Sequence, residues 1–324
     1  MPPTRLHVQV NPASSLAAAF TEARLRAAAA PGQVTISFGQ TPEALEAGLA
    51  AAEVLLLAGQ SPLHDLPRRA PHLRWISYTS AGVEWLLQAG LPEAVTLTNA
   101  SGTHIPKAAE FTLLSVLMLN NQMPHFATAQ RERRWAPKPA GTVAGRTALI
   151  LGMGALGGAA AQALAGQGMR IIGNSHSGRP HPDVAVMTRG GDFRAYLPDT
   201  DVLIITLPLT PATHGLIGRA ELDLLPPHAG VVNLGRGEIL DADALAAKLR
   251  DGSLAGAVLD ALPQEPLPPE SPLWDTPNLV ITPHCGLYDP GDYAPRCLDA
   301  FFANLARFRA GEPLHQVVDP ARGY

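Results

Sequence analysis

Short apolar runs alternate with alanine-rich stretches from one end of the chain to the other. Residues 6–10 (LHVQV), 34–38 (VTISF), 53–59 (EVLLLAG), 73–80 (LRWISYTS) and 95–100 (VTLTNA) are predicted strands. Between them, 14–30 (SSLAAAFTEARLRAAAA), 41–51 (TPEALEAGLAA) and 82–90 (GVEWLLQAG) are predicted helices. Strands this apolar suit a sheet covered on both faces, hence a parallel one. The alternation implies βαβ units. A long helical segment follows over roughly 106–134, apolar at its start (AAEFTLLSVLML) and charged at its end (AQRERRW). A second α/β series then runs through TALILGMG, MRIIGNS, DVLIITLP, GVVNLGR, GAVLDAL and LVITPH. A last helix, over about 295–310, carries apolar side chains at helical spacing. Proline gathers in connections such as PQEPLPPESP, where it stiffens loops.

Composition narrows the picture. At 324 residues, with 46% hydrophobic and 16% charged, the chain can bury two substantial cores. Net charge is −4 and no basic block interleaves with aromatics, so nucleic acid is not an expected partner. Cys285 and Cys297 lack metal-ligand spacing, so neither a disulfide framework nor a metal site is expected. The opening MPPTRLHVQVNP has no hydrophobic signal core, and the longest apolar runs are about half a membrane span. A cytoplasmic protein with no membrane partner is expected.

The candidate chemistry sits where strands end. GMGALG follows the strand TALIL and opens a helix. Gly152 permits the tight turn, Gly154 lets a pyrophosphate approach the backbone, and Gly157 lets helix and strand pack closely. The N–H groups at Ala155, Leu156 and Gly157 would then face the phosphates. VVNLGRGEILD places Arg236 between two glycines just after a buried strand, and its planar fork matches a carboxylate. GAVLDALPQEPLP adds Asp260 and Glu265, and NLVITPHCG adds His284. A carboxylate beside an imidazole stabilises the imidazolium, a usable proton donor near neutral pH.

Taken together these segments resemble the D-isomer-specific 2-hydroxyacid dehydrogenase family. The likeness runs from SAGVEWL through KAAEFTLLSVLML, GMGALG, TLPLTPATHGLIG and VVNLGRGEILD to LDALPQEPLP and TPHCG. It implies two Rossmann-like, doubly wound parallel-sheet α/β domains with an active-site cleft between them. The substrate-binding domain would comprise 1–100 and 287–324, and the dinucleotide domain 101–286. It also implies a homodimer made largely through 106–135. Arg236 would bind the substrate carboxylate and polarise the keto group. His284 would protonate the carbonyl oxygen, and Glu265 would orient His284. Ser80, Ala81, Gly82 and Val83 would hold the substrate carboxylate through backbone N–H groups. Leu207, Pro208, Leu234, Gly235 and Asp260 would border the cofactor. Cys285 and the continuation GLYDPGDY depart from the family pattern, which bears on the pocket rim rather than the chemistry.

The stretch after the second strand of the dinucleotide series reads IGNSHSGR. NAD-dependent members carry an aspartate at the place of Ser175, which would repel a 2′-phosphate. Here Ser175, His176 and Arg179 offer hydroxyl and cationic groups instead, so NADP(H) is expected in preference to NAD(H). The resemblance implies reversible hydride exchange with a small 2-keto or 2-hydroxy acid, with glyoxylate or hydroxypyruvate as the expected class. No room is expected after the last helix for an added regulatory domain. A dinucleotide-sensing corepressor-like protein and a phosphite-type dehydrogenase are the alternatives the same fold offers.

Overall fold

The computed structural model describes residues 2–14, 16–29 and 32–324. They form two compact units. One comprises the chain up to Thr103 together with Asp289–Tyr324, and the other is His104–Tyr288. These divisions fall a few residues beyond the expected boundaries.

The first unit runs β1 (Thr4–Val10), α1 (Glu22–Ala28), β2 (Val34–Gly39), α2 (Pro42–Leu49), β3 (Val54–Ala58), α3 (Leu66–Arg69), β4 (Trp75–Tyr78), α4 (Glu84–Gln88) and β5 (Thr96–Thr98). Its five strands are parallel, in the order β2-β1-β3-β4-β5. The predicted helix over 14–30 is shorter than expected. The side chains of Asn11 and Ser14 accept from the N–H groups of Ala13 and Leu16, drawing the chain into turns. The helix starts only where Thr21 caps the Arg24 N–H. Ser15 and Ala30, also in that predicted helix, lie outside the described residues.

The second unit holds α5 (Ile105–Asn120), α6 (Met123–Arg131), β6 (Thr147–Leu151), α7 (Ala155–Ala165), β7 (Arg170–Asn174), β8 (Val186–Thr188), β9 (Val202–Ile205), α8 (Arg219–Asp223), β10 (Gly230–Asn233), α9 (Ala242–Arg250), β11 (Gly256–Leu259) and β12 (Leu279–Ile281). The single helix predicted over 106–134 is two. Gln122 takes a left-handed backbone (φ +59°), and Pro124 follows without an N–H, so the first helix cannot continue. The seven strands are parallel in the order β12-β11-β10-β9-β6-β7-β8. The order reverses between β6 and β9, the kind of crevice where open α/β sheets bind ligands.

The unbroken apolar strands now have a cause. Leu149, Leu203, Val231 and Ala257 join one buried layer, while Ala148, Ile150, Val202 and Val232 join the layer on the opposite face. Both faces are covered, so alternate residues must all be apolar. The last helix, α10 (Tyr293–Ala310), belongs to the first unit, where Phe301 and Phe308 pack on Trp75 and the Tyr293 hydroxyl donates to the Thr79 carbonyl (2.6 Å).

Candidate active site

The turn after β6 is locked from several sides. Gly152 has φ +98°, which favours glycine. The Thr206 hydroxyl, at the end of β9, donates to the Gly152 carbonyl (2.7 Å). A Cβ on Gly157 would sit 1.8 Å from the Gly152 oxygen, so only glycine lets α7 start there. A Cβ on Gly154 meets nothing within 4 Å. No side chain caps α7, so its first-turn N–H groups are left without a side-chain cap. This arrangement fits a pyrophosphate, through its backbone donors and helix dipole.

After β7, Ser175 Oγ accepts from the Gly178 N–H (3.0 Å) and folds the 175–179 loop back on itself. His176 and Arg179 are exposed on that loop. Arg179 has no ion-pair partner among the described residues. Leu207 and Pro208 follow β9, and the Leu207 carbonyl oxygen lies 2.7 Å from where a Cβ on Gly235 would stand. That contact brings the loops after β9 and β10 together.

Three neighbouring strand ends carry the expected reactive groups. Asn233, Leu259 and Ile281 are in register across β10, β11 and β12. Arg236, Glu265 and His284 all follow these ends. Asn233 holds the first turn: its Oδ1 accepts from the Gly235 N–H and its Nδ2 donates to the Arg236 carbonyl, both at 3.0 Å. Gly237 leaves room for the next loop, since a Cβ there would lie 1.9 Å from the Leu262 carbonyl carbon. Glu265 Oε1 accepts from the Leu262 N–H (2.9 Å), and its Oε2 lies 2.7 Å from His284 Nδ1. An ionised carboxylate only accepts, so Nδ1 carries a hydrogen in this pair and Nε2 is left for other work. The two side chains keep 46% and 37% of their accessible surface, so the pair is presented on the surface of its own unit.

Asp260 has a role the sequence did not reveal. It is 2% exposed, and its Oδ1 accepts from Thr282 Oγ1 (2.6 Å), the Cys285 N–H (3.1 Å) and the Gly286 N–H (2.8 Å). One buried oxygen thus grips the loop on both sides of His284, whose backbone is left-handed (φ +50°). Asn233, Thr206 and Thr282 were likewise missed. Each lies at or just beyond a strand end and bonds a neighbouring turn, a signal visible only once strand order is known.

In the first unit, the 80–83 turn lies between β4 and α4. Asn99 Nδ2 donates to the Ala81 carbonyl (3.0 Å), fixing the turn. The N–H groups of Ala81, Gly82 and Val83 have no backbone acceptor among the described residues. Among the described residues, no group of three or more His, Cys, Asp or Glu side chains could hold a metal ion, and no helix is long and apolar enough to cross a membrane.

The model of the family described as D-isomer specific 2-hydroxyacid dehydrogenase, NAD binding domain, matches residues 113–286. A glyoxylate/hydroxypyruvate reductase B from Pectobacterium carotovorum is 36% identical over 246 residues, covering 74% of this chain and 77% of the relative. A D-isomer specific 2-hydroxyacid dehydrogenase from Xanthobacter autotrophicus, solved with NADPH and MES, is 31% identical with a TM-score of 0.84, covering 99% of this chain and 100% of the other. An NADPH-dependent glyoxylate/hydroxypyruvate reductase from Sinorhizobium meliloti, solved with NADP and sulfate, is 30% identical with a TM-score of 0.82 and the same coverage.

Proposed function

Because the chain belongs to the D-isomer-specific 2-hydroxyacid dehydrogenase family, and is an oxidoreductase, we propose that it reduces glyoxylate, hydroxypyruvate or a related small 2-keto acid with NADPH. The observation that carries this reading is the 2.7 Å pair of Glu265 and His284 at the strand ends next to Arg236. Glu265 fixes the ring through Nδ1, so that Nε2 faces the keto oxygen and gives it a proton. Arg236 binds the substrate carboxylate through its fork and polarises the carbonyl. The N–H groups of Ala81, Gly82 and Val83 suit a carboxylate. The 152–157 turn would hold the pyrophosphate. When bound, the reduced dinucleotide supplies the hydride that the keto carbon accepts. Proton and hydride together convert the 2-keto acid to the 2-hydroxy acid.

NADPH is preferred over NADH because the 175–179 loop carries no carboxylate and offers Ser175, His176 and Arg179. The relatives solved with NADPH or NADP support the same choice. The chain is also proposed to act as a homodimer. Leu114, Leu117, Met123 and Phe126 on α5 and α6 leave apolar surface exposed, and Trp135 beyond them is 98% exposed.

The test is a panel of glyoxylate, hydroxypyruvate, pyruvate and phenylpyruvate, each run with NADPH and NADH. A kcat/KM ratio of about ten- to a hundredfold in favour of NADPH is expected. Turnover of a keto acid that His284→Gln abolishes supports the assigned roles. Tight dinucleotide binding without turnover of any of the four would overturn them in favour of a sensor.

A further inference from the structure

At the end of β7, the stretch that lacks the expected acid carries Asn174, which is buried. Its Nδ2 donates to Thr188 Oγ1 (2.9 Å) and to the Gly190 carbonyl (3.2 Å). Those two residues flank Arg189. Thr188 is further tied to β7, since its hydroxyl donates to the Gly173 carbonyl (3.2 Å) and its own carbonyl accepts from the Ser175 N–H (3.2 Å). The segment bearing Arg189 is therefore fastened directly beside the 175–179 loop.

The arginine side chain lies across that loop. A Cβ on Gly178 would stand 2.2 Å from Arg189 Nε, 2.7 Å from its Cγ and 2.9 Å from its Cδ. Gly178 is left-handed (φ +59°) and leaves the space the arginine stem fills. Arg189 is exposed, and it has no ion-pair partner among the described residues. It precedes a 3-10 helix, Gly190–Asp199, whose N-terminal end favours anions over cations, so it does not serve as a helix cap.

We propose that Arg189 is a specificity-determining residue for the cofactor: a second guanidinium, alongside Arg179, for a phosphate on the adenosine ribose. This rests on the NADPH reading and goes beyond the loop residues read from the sequence. A phosphate monoester presents three acceptor oxygens, more than one guanidinium fork satisfies. Asn174 acts as a positioning residue. Its amide, one residue before the Ser175 position where an acid would read a ribose diol, holds the segment bearing Arg189 in place for a phosphate.

The test compares 2′,5′-ADP with 5′-AMP by calorimetry, because the two ligands differ only in the 2′-phosphate. Wild type, Arg189→Ala and Arg189→Lys are measured as full-length protein. Wild type should bind 2′,5′-ADP more tightly than 5′-AMP. Arg189→Ala should lose at least about tenfold in 2′,5′-ADP affinity with 5′-AMP unchanged, and Arg189→Lys should recover part of the loss. Unchanged 5′-AMP binding also reports that the variant is folded. If wild type discriminates and Arg189→Ala does so equally well, Arg189 has no part and the NADPH reading stands. If wild type binds both nucleotides alike, the NADPH reading fails and this inference fails with it. Equal weakening of both ligands in Arg189→Ala overturns the assignment to the phosphate.

Discussion

At the residue scale, the Glu265–His284 pair decides which way the imidazole ring faces. A carboxylate 2.7 Å from Nδ1 holds the ring so that Nε2 is the nitrogen left to meet a substrate. Glu265→Gln removes that charge while keeping an acceptor oxygen. In keto-acid reduction the variant should lose kcat by about tenfold or more with KM little changed, and a kcat equal to wild type would remove Glu265 from its role. This pair was legible in the sequence because each member follows a strand run closely and the spacing of the trio is distinctive. Asn233 and Asp260 were not legible in the same way. Their partners, Gly235 and Arg236 for one and Thr282 to Gly286 for the other, are set by how a loop closes rather than by residue type.

At the scale of elements, the β12 end and its loop depend on one oxygen of Asp260. Asp260→Ala leaves a hydroxyl and two N–H groups without that acceptor, and each such loss costs about 1–3 kcal/mol where water cannot replace it. A net loss of about 2–4 kcal/mol in denaturant unfolding is expected, with kcat lowered because His284 loses its fixed backbone. Asp260→Asn, which keeps an acceptor oxygen with two lone pairs at that place, should retain most of the stability. Equal damage from both variants would mean that the charge matters, not the acceptor. The strands were readable because burial on both faces forces continuous apolar runs. The helix boundaries were less so: alanine-rich composition fits helix at 14–20 as well as at 22–28, and the side chains of Asn11 and Ser14 decide otherwise.

For the whole molecule, two predictions concern stability and assembly. His7 is buried in β1 beside Ser37 and Gln9, and burial holds its imidazole below the ordinary value of 6.5, against the hydrogen bond to Gln9. The unfolded chain therefore takes up a proton at higher pH than the folded one. Stability from this group is full above about 6.5 and falls as pH drops from there to the lower folded value, by at most about 1.4 kcal/mol per pH unit. In urea titrations, the difference between wild type and His7→Gln should narrow between pH 8 and pH 5, and a constant difference would exclude His7 as the cause. For assembly, Leu114→Asp with Phe126→Asp should convert a dimer to a monomer in sedimentation, if the exposed face of α5 and α6 is the interface.

The order of the seven-stranded sheet has a consequence for how selectivity and chemistry combine. Arg189 trails β8 and His284 trails β12, the two outermost strands of the sheet. Strands step by about 4.8 Å, so these margins stand on the order of 25–30 Å apart. Changes so distant, with no shared neighbours, should act independently. The fold-loss in kcat/KM with NADPH for Arg189→Ala combined with Glu265→Gln should equal the product of the single losses. The sheet would then serve as a rigid gauge, on which the choice of coenzyme and the handling of the proton are separately adjustable.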